Sequence, residues 1–261
     1  MMLRKLGIAL AGAGLAAMVA SGAALAWNEG GGEQDEALKI LLDLKQKMPN
    51  DPKLKEKVRK DGIAVFEVCS ACHTTEGWGT KDGTFPQIAG QHDTVIIKQL
   101  ADIRAGNRDN PTMYPFALPQ EIKNAAPEVG GGPYAIAVVA NYIANLPMNP
   151  DNGKAPKGEA NLERGKQLFK DNCVRCHGPN GEGSEEKFYP KIQGQHYKYM
   201  LRQFEWIRDG KRRNANPDMV KQIKNFTDQD MRDVIGYVAS IPVPKEKLAP
   251  SKDWVNPDFD D

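Results

Sequence analysis

The four cysteines of the chain fall in two runs, Cys69-Ser70-Ala71-Cys72-His73 and Cys173-Val174-Arg175-Cys176-His177, 104 residues apart. An exported protein would ordinarily spend cysteines on disulfides. A zinc ribbon spaces its Cys-x-x-Cys pairs by about 15–20 residues. A thioredoxin-like pair does not need the histidine that follows. Cys-x-x-Cys-His, present twice, is the attachment signature of c-type haem. Its spacing has a chemical reason. On a helix, positions i, i+3 and i+4 share one face. Two thiols can then add to the two vinyl groups of one porphyrin, and the adjacent imidazole sits beneath the iron as its proximal ligand. Cys69, Cys72, Cys173 and Cys176 are therefore the expected attachment points of two covalent haems c. His73 and His177 are the expected iron ligands. All four cysteines are then used, and neither a disulfide nor a free thiol remains.

The sixth ligand has two sets of candidates. Of the methionines beyond residue 26, only Met113 and Met219 occupy matching places, 40 and 42 residues after the proximal histidines, each in an Asn-Pro-x-Met run. Met200 and Met231 sit in helical patterns and read as core filler. Met48 and Met148 stand beside prolines in connecting segments. The rival ligands are His92 and His196, each 19 residues past a proximal histidine. A thioether favours Fe(II) and raises the potential relative to a second imidazole. The alternative role for the two histidines is a polar position at a helix start, near a propionate or solvent.

The elements that position these residues repeat as well. Gly77 and Gly79 match Gly181 and Gly183. Phe85-Pro86-Gln87-Ile88-Ala89-Gly90-Gln91-His92 matches Tyr189-Pro190-Lys191-Ile192-Gln193-Gly194-Gln195-His196, and Arg104-Ala105-Gly106-Asn107-Arg108 matches Arg208-Asp209-Gly210-Lys211-Arg212. Such a repeat means two similar domains. We place them at 58–148 and 158–243, joined by a linker over 149–157. Each half reads as mostly helical. A short helix leads into each haem motif (Asp61 to Phe66, and Glu163 to Phe169). A middle helix covers about 93–105 and 197–209, with Leu100 and Phe204 facing inward. A final helix follows each Asn-Pro-x-Met. The first half carries an excess near 117–133, including Gly130-Gly131-Gly132.

Residues 1–26 read as a signal peptide. Arg4 and Lys5 precede an uncharged run that closes on Ala24-Leu25-Ala26, so cleavage is expected before Trp27 and the protein is expected in the periplasm. An uncleaved anchor is the alternative, since 21 uncharged residues just span a bilayer. Residues 27–57 form an extension, with Leu38, Leu41 and Leu42 on one helical face expected to pack on the first domain. A partner or a membrane surface is the other possible counterpart of that face. Residues 244–261 form a tail whose acidic end is expected to be mobile.

These motifs resemble the dihaem cytochrome c4 family, two class I cytochrome c folds in tandem, over about residues 58–243. The resemblance implies an all-α fold, two domains facing each other as a pseudo-twofold pair, and Met113 and Met219 as axial ligands. It also implies that the carbonyls of Pro86 and Pro190 accept the proximal Nδ1–H, although a proline there is equally read as a loop breaker. Arg104, Arg108, Arg208 and Arg212 either neutralise propionates or form a solvated helix face, the latter for at least two of them. Lys211-Arg212-Arg213 reads as a solvated cluster or a dock for an acidic partner.

Composition narrows the function classes. Lys+Arg is 35 and Asp+Glu 34, a formal net charge of +1, so no bulk positive field points to nucleic acid. Removal of the leader takes away two basic residues and no acid, for a net of −1. The leading expectation is an exported electron carrier that passes electrons between a respiratory donor complex and an oxidase or reductase acceptor. With both iron positions filled, no substrate binds at iron. The runner-up is a dihaem redox enzyme, such as a peroxidase or thiosulfate dehydrogenase. The repeat argues for similar rather than dissimilar haem sites, and no fifth cysteine exists to serve as the axial ligand of a dihaem thiosulfate dehydrogenase. A third option is a haem subunit bound to a catalytic partner, as in flavocytochrome c sulfide dehydrogenase.

Overall fold

The computed structural model describes residues 31–259, so the expected leader lies outside the described residues. Its elements are helical, with no strand among the described residues beyond two isolated bridges, Met148 to Leu248 and Ser184 to Tyr189. The first half contains α1 (Gly31–Lys47), α2 (Pro52–His73), α3 (Asp93–Arg104), α4 (Tyr114–Ala117), α5 (Pro119–Ala125) and α6 (Pro133–Asn145). The second contains α7 (Leu162–Asn172), α8 (Val174–His177), α9 (Tyr197–Arg208), α10 (Pro217–Ile223) and α11 (Asp228–Ser240).

Each half is built on one helix crossing. Helix α2 crosses α6 and α7 crosses α11, and a glycine sits at each contact. A Cβ on Gly62 would lie 2.7 Å from the Tyr142 Cβ, and one on Gly165 would lie 2.0 Å from the Asp233 carbonyl oxygen. The backbones touch because no side chain separates them. One turn on, Phe66 packs on Tyr142 at 5.3 Å between ring centroids, and Phe169 packs on Tyr237 at 5.6 Å. Leu100 and Phe204 of the middle helices are buried in their respective cores.

The two attachment helices differ. The expected short helix of the first half is the middle of a 22-residue helix, capped by the Asp51 carboxylate on the Leu54 N–H at 3.0 Å and led by Pro52 at its first turn. It therefore begins inside the stretch read as extension. In the second half, three residues separate Phe169 from Cys173, against two between Phe66 and Cys69. One extra residue rotates a helix by about 100°. Cys173 stands at the junction between α7 and α8 with φ widened to −118°, and α8 carries Cys176 and His177.

Both ends of the described chain fold onto the first domain. Helix α1 buries Gln34, Ala37, Leu41 and Leu44, and Leu38 packs half-buried against the same core; of the expected face only Leu42, 63% exposed, turns outward. The tail expected to be mobile is packed through residue 259. Ala249 is in the first core, and Trp254 lies 5.9 Å from Trp78. The buried Asn256 amide donates to the Thr75 carbonyl at 2.7 Å. Asp258 accepts from the Tyr142 hydroxyl at 2.8 Å and pairs with Arg59. Phe259 meets Phe66 edge to face. The excess near 117–133 is likewise structural, since Ala117, Ile122 and Ala126 are buried in the same core.

The domains exchange matching hydrogen bonds. The Gln91 side chain donates to the Lys191 carbonyl and accepts from the Lys191 N–H, both at 2.9 Å. Its repeat partner Gln195 donates to the Gln87 carbonyl at 2.7 Å and accepts from the Gln87 N–H at 3.0 Å. His92 Nε2 lies 2.8 Å from the Glu182 carbonyl oxygen, and His196 Nε2 lies 2.6 Å from that of Trp78. Every pair keeps the 104-residue offset, which is the hydrogen-bond pattern of a pseudo-twofold contact. The 149–157 linker is part of it: Asn149 and Asn152 are buried, and the Gly153 N–H donates to His196 Nδ1 at 3.0 Å.

This arrangement makes docking depend on Gln195 and on pH. Gln195→Ala strips partners from three buried backbone groups, the Gln87 N–H and carbonyl and the His196 N–H, each worth about 1–3 kcal/mol when left unsatisfied. Thermal unfolding of the variant should therefore start well below that of the parent. His196 is fully buried and must be neutral, with its proton on Nε2, to donate there and accept at Nδ1. Burial holds its pKa below 6.5 in the folded protein, against the Trp78 bond. The unfolded chain then takes up the proton first, so this contribution is complete above about pH 6.5 and is lost as pH falls from there toward the depressed value. A denaturation series from pH 8 to pH 5 should show stability declining over that window, and declining less in His196→Phe.

Candidate functional site

Each attachment segment ends in a histidine held the same way. His73 is 6% exposed and its Nδ1 lies 2.9 Å from the Pro86 carbonyl oxygen; His177 is 9% exposed and its Nδ1 lies 3.0 Å from that of Pro190. A carbonyl can only accept, so the proton is on Nδ1 and the Nε2 lone pair is left for a metal. The prolines are thus more than loop breakers. Burial lowers the pKa of both imidazoles, against the carbonyl bonds that raise it, and this favours the neutral ligand form.

The paired glycines of the repeat build the loop that carries those carbonyls. The Gly79 N–H donates to the His73 carbonyl and the Gly183 N–H to that of His177, both at 2.8 Å. Both glycines have φ near +70°, and a Cβ on either would sit within 2.4 Å of the segment bearing the proline carbonyl. The proximal clamp is therefore specified by Cys-x-x-Cys-His, a Gly-x-Gly and a Phe/Tyr-Pro.

Cys69 and Cys72 lie one turn apart on α2, and Cys173 and Cys176 flank the start of α8. Burial pushes the Cys69 and Cys173 thiols up to about 12. Thiols so placed are poor thiolates for zinc or disulfide exchange, whereas a neutral thioether sulfur suits the apolar setting. The two pairs also border different cores, so they cannot join in one four-cysteine zinc site. Met113 is half-buried against the first core, just before α4, and Met219 is half-buried on α10 against the second. Met200 and Met231 are core residues, and Met148 is buried between the halves beside Gly90 and Gly194.

The arginines divide differently from expectation. Arg104 is inside the first domain, donating to the Ala117 carbonyl and pairing with Glu33, and Arg208 pairs with Asp209 and Asp228. Arg108 and Arg212 turn into the domain contact. Arg108 donates to Gln99 at 2.8 Å and to the Tyr199 hydroxyl at 3.3 Å; Arg212 donates to Gln203 at 3.0 Å and across to Gln99 at 3.1 Å. Among the described residues the side-chain hydrogen bonds of both go to neutral acceptors. Burial, and then the like charge of Arg108, push the Arg212 guanidinium down to about 10. Burial raises the Tyr199 phenol, but Arg108, Arg212 and Arg202 outweigh it and leave its pKa below the ordinary value. Two adjacent guanidiniums without a carboxylate partner among the described residues form a setting for added negative charge, of the kind a haem propionate would supply. The same geometry dissolves the Lys211-Arg212-Arg213 cluster as a surface unit: Arg212 faces inward and Arg213 donates to the Gly106 carbonyl at 2.7 Å.

The residues fit two haems c. The family described as Cytochrome c matches residues 59–147 and 162–242. The chain is 28% identical over 200 residues to cytochrome c4 of Azotobacter vinelandii, covering 69% of this chain and 87% of that one. The chain belongs to the dihaem cytochrome c4 family. It is also similar to the thiosulfate dehydrogenase electron acceptor of Stutzerimonas stutzeri strain A1501, at 31% identity over 184 residues and 66% and 78% of the two chains. The crystal structure of reduced recombinant cytochrome c4 from Pseudomonas stutzeri superposes with a TM-score of 0.56 at 25% identity, covering 70% of this chain and 97% of that one. Helix α1, the first two turns of α2 and the C-terminal return lie outside the family match. Like other cytochromes of the c4 type, this one carries two covalent haems c and transfers electrons; it is not an enzyme. Among the described residues no helix is long and apolar enough to cross a membrane.

Sequence alone places the histidines of the repeated Gly-Gln-His at helix starts, where they stand, but does not show that they reach across to the other domain. The strict repetition of Gln91 with Gln195 was the one signal that could have revealed this.

Proposed function

We propose that this cytochrome is a two-haem relay with equivalent ligation at both irons: His73 with Met113, and His177 with Met219. Cys69 and Cys72 hold the first porphyrin, and Cys173 and Cys176 the second. The bound haem supplies a one-electron Fe(III)/Fe(II) couple. The protein residues set the conditions for it. Pro86 and Pro190 fix the imidazole tautomer, the thioethers fix the ring, the methionines favour the reduced iron, and Arg108 and Arg212 offset propionate charge at the domain contact. The single observation that carries the reading is the matched pair of bonds from a proximal histidine to a proline carbonyl.

We place the chain in the periplasm, with the leader removed before Trp27, exchanging electrons between a respiratory donor complex and an oxidase or reductase. One observation favours a second source of electrons. The 31% identity to a thiosulfate dehydrogenase electron acceptor supports a dehydrogenase as the donor, with this chain as its separate acceptor. A pyridine haemochrome assay with intact mass tests the core of the proposal. Two haems per chain are expected in the fully matured protein, and one would sink the relay.

A further inference from the structure

The pseudo-twofold contact has two equivalent ends, and a different segment closes each. At one end the linker lies against His196 and Tyr197. The Gly153 N–H donates to His196 Nδ1 at 3.0 Å, and the Gly153 carbonyl accepts from the Tyr197 N–H at 2.9 Å. Lys81 pairs there with Asp151 of the linker. The 104-residue offset relates His196, Tyr197 and Lys81 to His92, Asp93 and Glu185, which stand at the other end. A single linker can close only one of the two. The second is closed by α1, which lies outside the family match and is therefore an addition to the shared fold.

The closing group is Lys45, near the end of α1. Its ammonium lies 2.7 Å from Asp93 Oδ2 in the first domain and pairs with Glu185 in the second. The Thr94 hydroxyl donates to the Glu185 carbonyl at 2.7 Å, so the start of α3 also meets that residue through its backbone. The Asp93 side chain is only 4% exposed, and its second oxygen accepts from the Thr94 N–H at 2.9 Å. Burial pushes the Asp93 carboxyl up, the Lys45 ammonium opposes this, and the Glu185 carboxylate adds to it. Burial lowers the Lys45 pKa, but the two carboxylates outweigh it and leave the ammonium above its ordinary value. Without Lys45 a buried carboxylate would face a second one across the contact, and like charges so placed repel. The two ends thus use the same device with the signs exchanged. Lys81 holds an acid of the linker, and Glu185 holds a base of the extension.

We propose that Lys45 is a positioning residue for electron exchange between the two haems: it clasps the second domain to the first at the end of the contact opposite the linker. This rests on the relay reading above. A contact tied at one end can swing open about that tie, whereas one tied at both ends holds its separation. The clasp is presented by a firm element, because α1 is anchored in the first core by Ala37, Leu41 and Leu44. In the exchange itself one electron leaves a ferrous haem and reduces the ferric haem of the other domain, with no proton or atom transferred.

The test uses full-length holoprotein and two readouts. The first is amide hydrogen exchange, followed by NMR in the fully reduced state. The Lys191 N–H bonds across the contact to Gln91, beside the clasp, and the Gln87 N–H bonds across it to Gln195, beside the linker. The second is the rate of electron exchange between the haems after flash reduction of one. Lys45→Met should speed exchange at Lys191 about tenfold, change it at Gln87 by less than about twofold, and slow the inter-haem step. Lys45→Arg should restore both readouts. In a D93N/E185Q background, Lys45→Met should add nothing, because no carboxylates are left to bridge. Should Lys45→Met fold poorly, Glu185→Gln breaks only the pair that crosses the contact and should also speed exchange at Lys191. An unchanged Lys191 rate overturns the clasp. So does equal acceleration at Lys191 and Gln87, and so does an effect of Lys45→Met that is the same in both backgrounds, which would make it one of helix packing. Faster Lys191 exchange with an unchanged inter-haem rate overturns the positioning role while the relay stands. If the parent shows no inter-haem exchange at all, the relay reading fails and the positioning role falls with it, while the Lys191 amide still reports on the clasp.

Discussion

Replacing Cys173 and Cys176 together by Ser is expected to unfold the second domain, whereas the same change at Cys69 and Cys72 leaves a folded first domain. The reason lies in what each core contains without a porphyrin. The first core gathers 25 buried residues, including Ala37, Leu41 and Leu44 from α1 and Ala249 from the C-terminal return. The second gathers 12, and Cys173 is one of them. A domain of about 80 residues has only about 4–12 kcal/mol of net stability. A 12-residue core that also loses its haem contacts falls below what folding requires. The Cys173/Cys176 variant should keep one haem, lose about half its Soret absorbance, and be cut by protease within 162–242. The Cys69/Cys72 variant should also keep one haem but resist cleavage within 59–147. Equal protease sensitivity of the two variants would contradict the stabilising role of α1 and the tail.

Met219→Ala is expected to lower one potential by on the order of 0.1 V, a fraction of the ~0.8 V that axial ligands span, and to leave the other nearly in place. The lost thioether removes a donor that favours Fe(II), and water or an open position replaces it. His196→Ala should not do this. It should instead weaken domain docking, because His196 spends both ring nitrogens on the Gly153 N–H and the Trp78 carbonyl. A drop of that size from His196→Ala, with none from Met219→Ala, would make the histidine the ligand and overturn the axial reading.

The chemistry was legible in the sequence wherever it was local. Cys-x-x-Cys-His is a one-turn motif, and the loop from Gly77 to Pro86 is short enough that its repetition exposed the proximal clamp. Positions whose role depends on distant chain were not legible. Gln91 and Gln195 act on backbone 100 and 108 residues away. The Asn256 amide acts on Thr75, 181 residues away, which no pattern in the acidic tail indicates. Leu42 was misplaced because α1 offers leucines on two neighbouring stripes, and only packing against α6 and α3 decides between them. The arginines of the Arg-x-Gly-x-Arg run look alike in sequence, yet the first of each run closes its own domain and the second enters the contact between the two.

Ligation of both irons by one histidine and one methionine is tested most directly by the near-infrared sulfur-to-iron charge-transfer band of the fully oxidised protein, scaled to the haem content of the same sample. The expected intensity is that of two thioether-ligated haems per chain. It should fall by half in Met219→Ala and likewise by half in Met113→Ala, with nothing left in the double variant. A parent protein without this band, or with the intensity of one site only, would contradict the shared ligation.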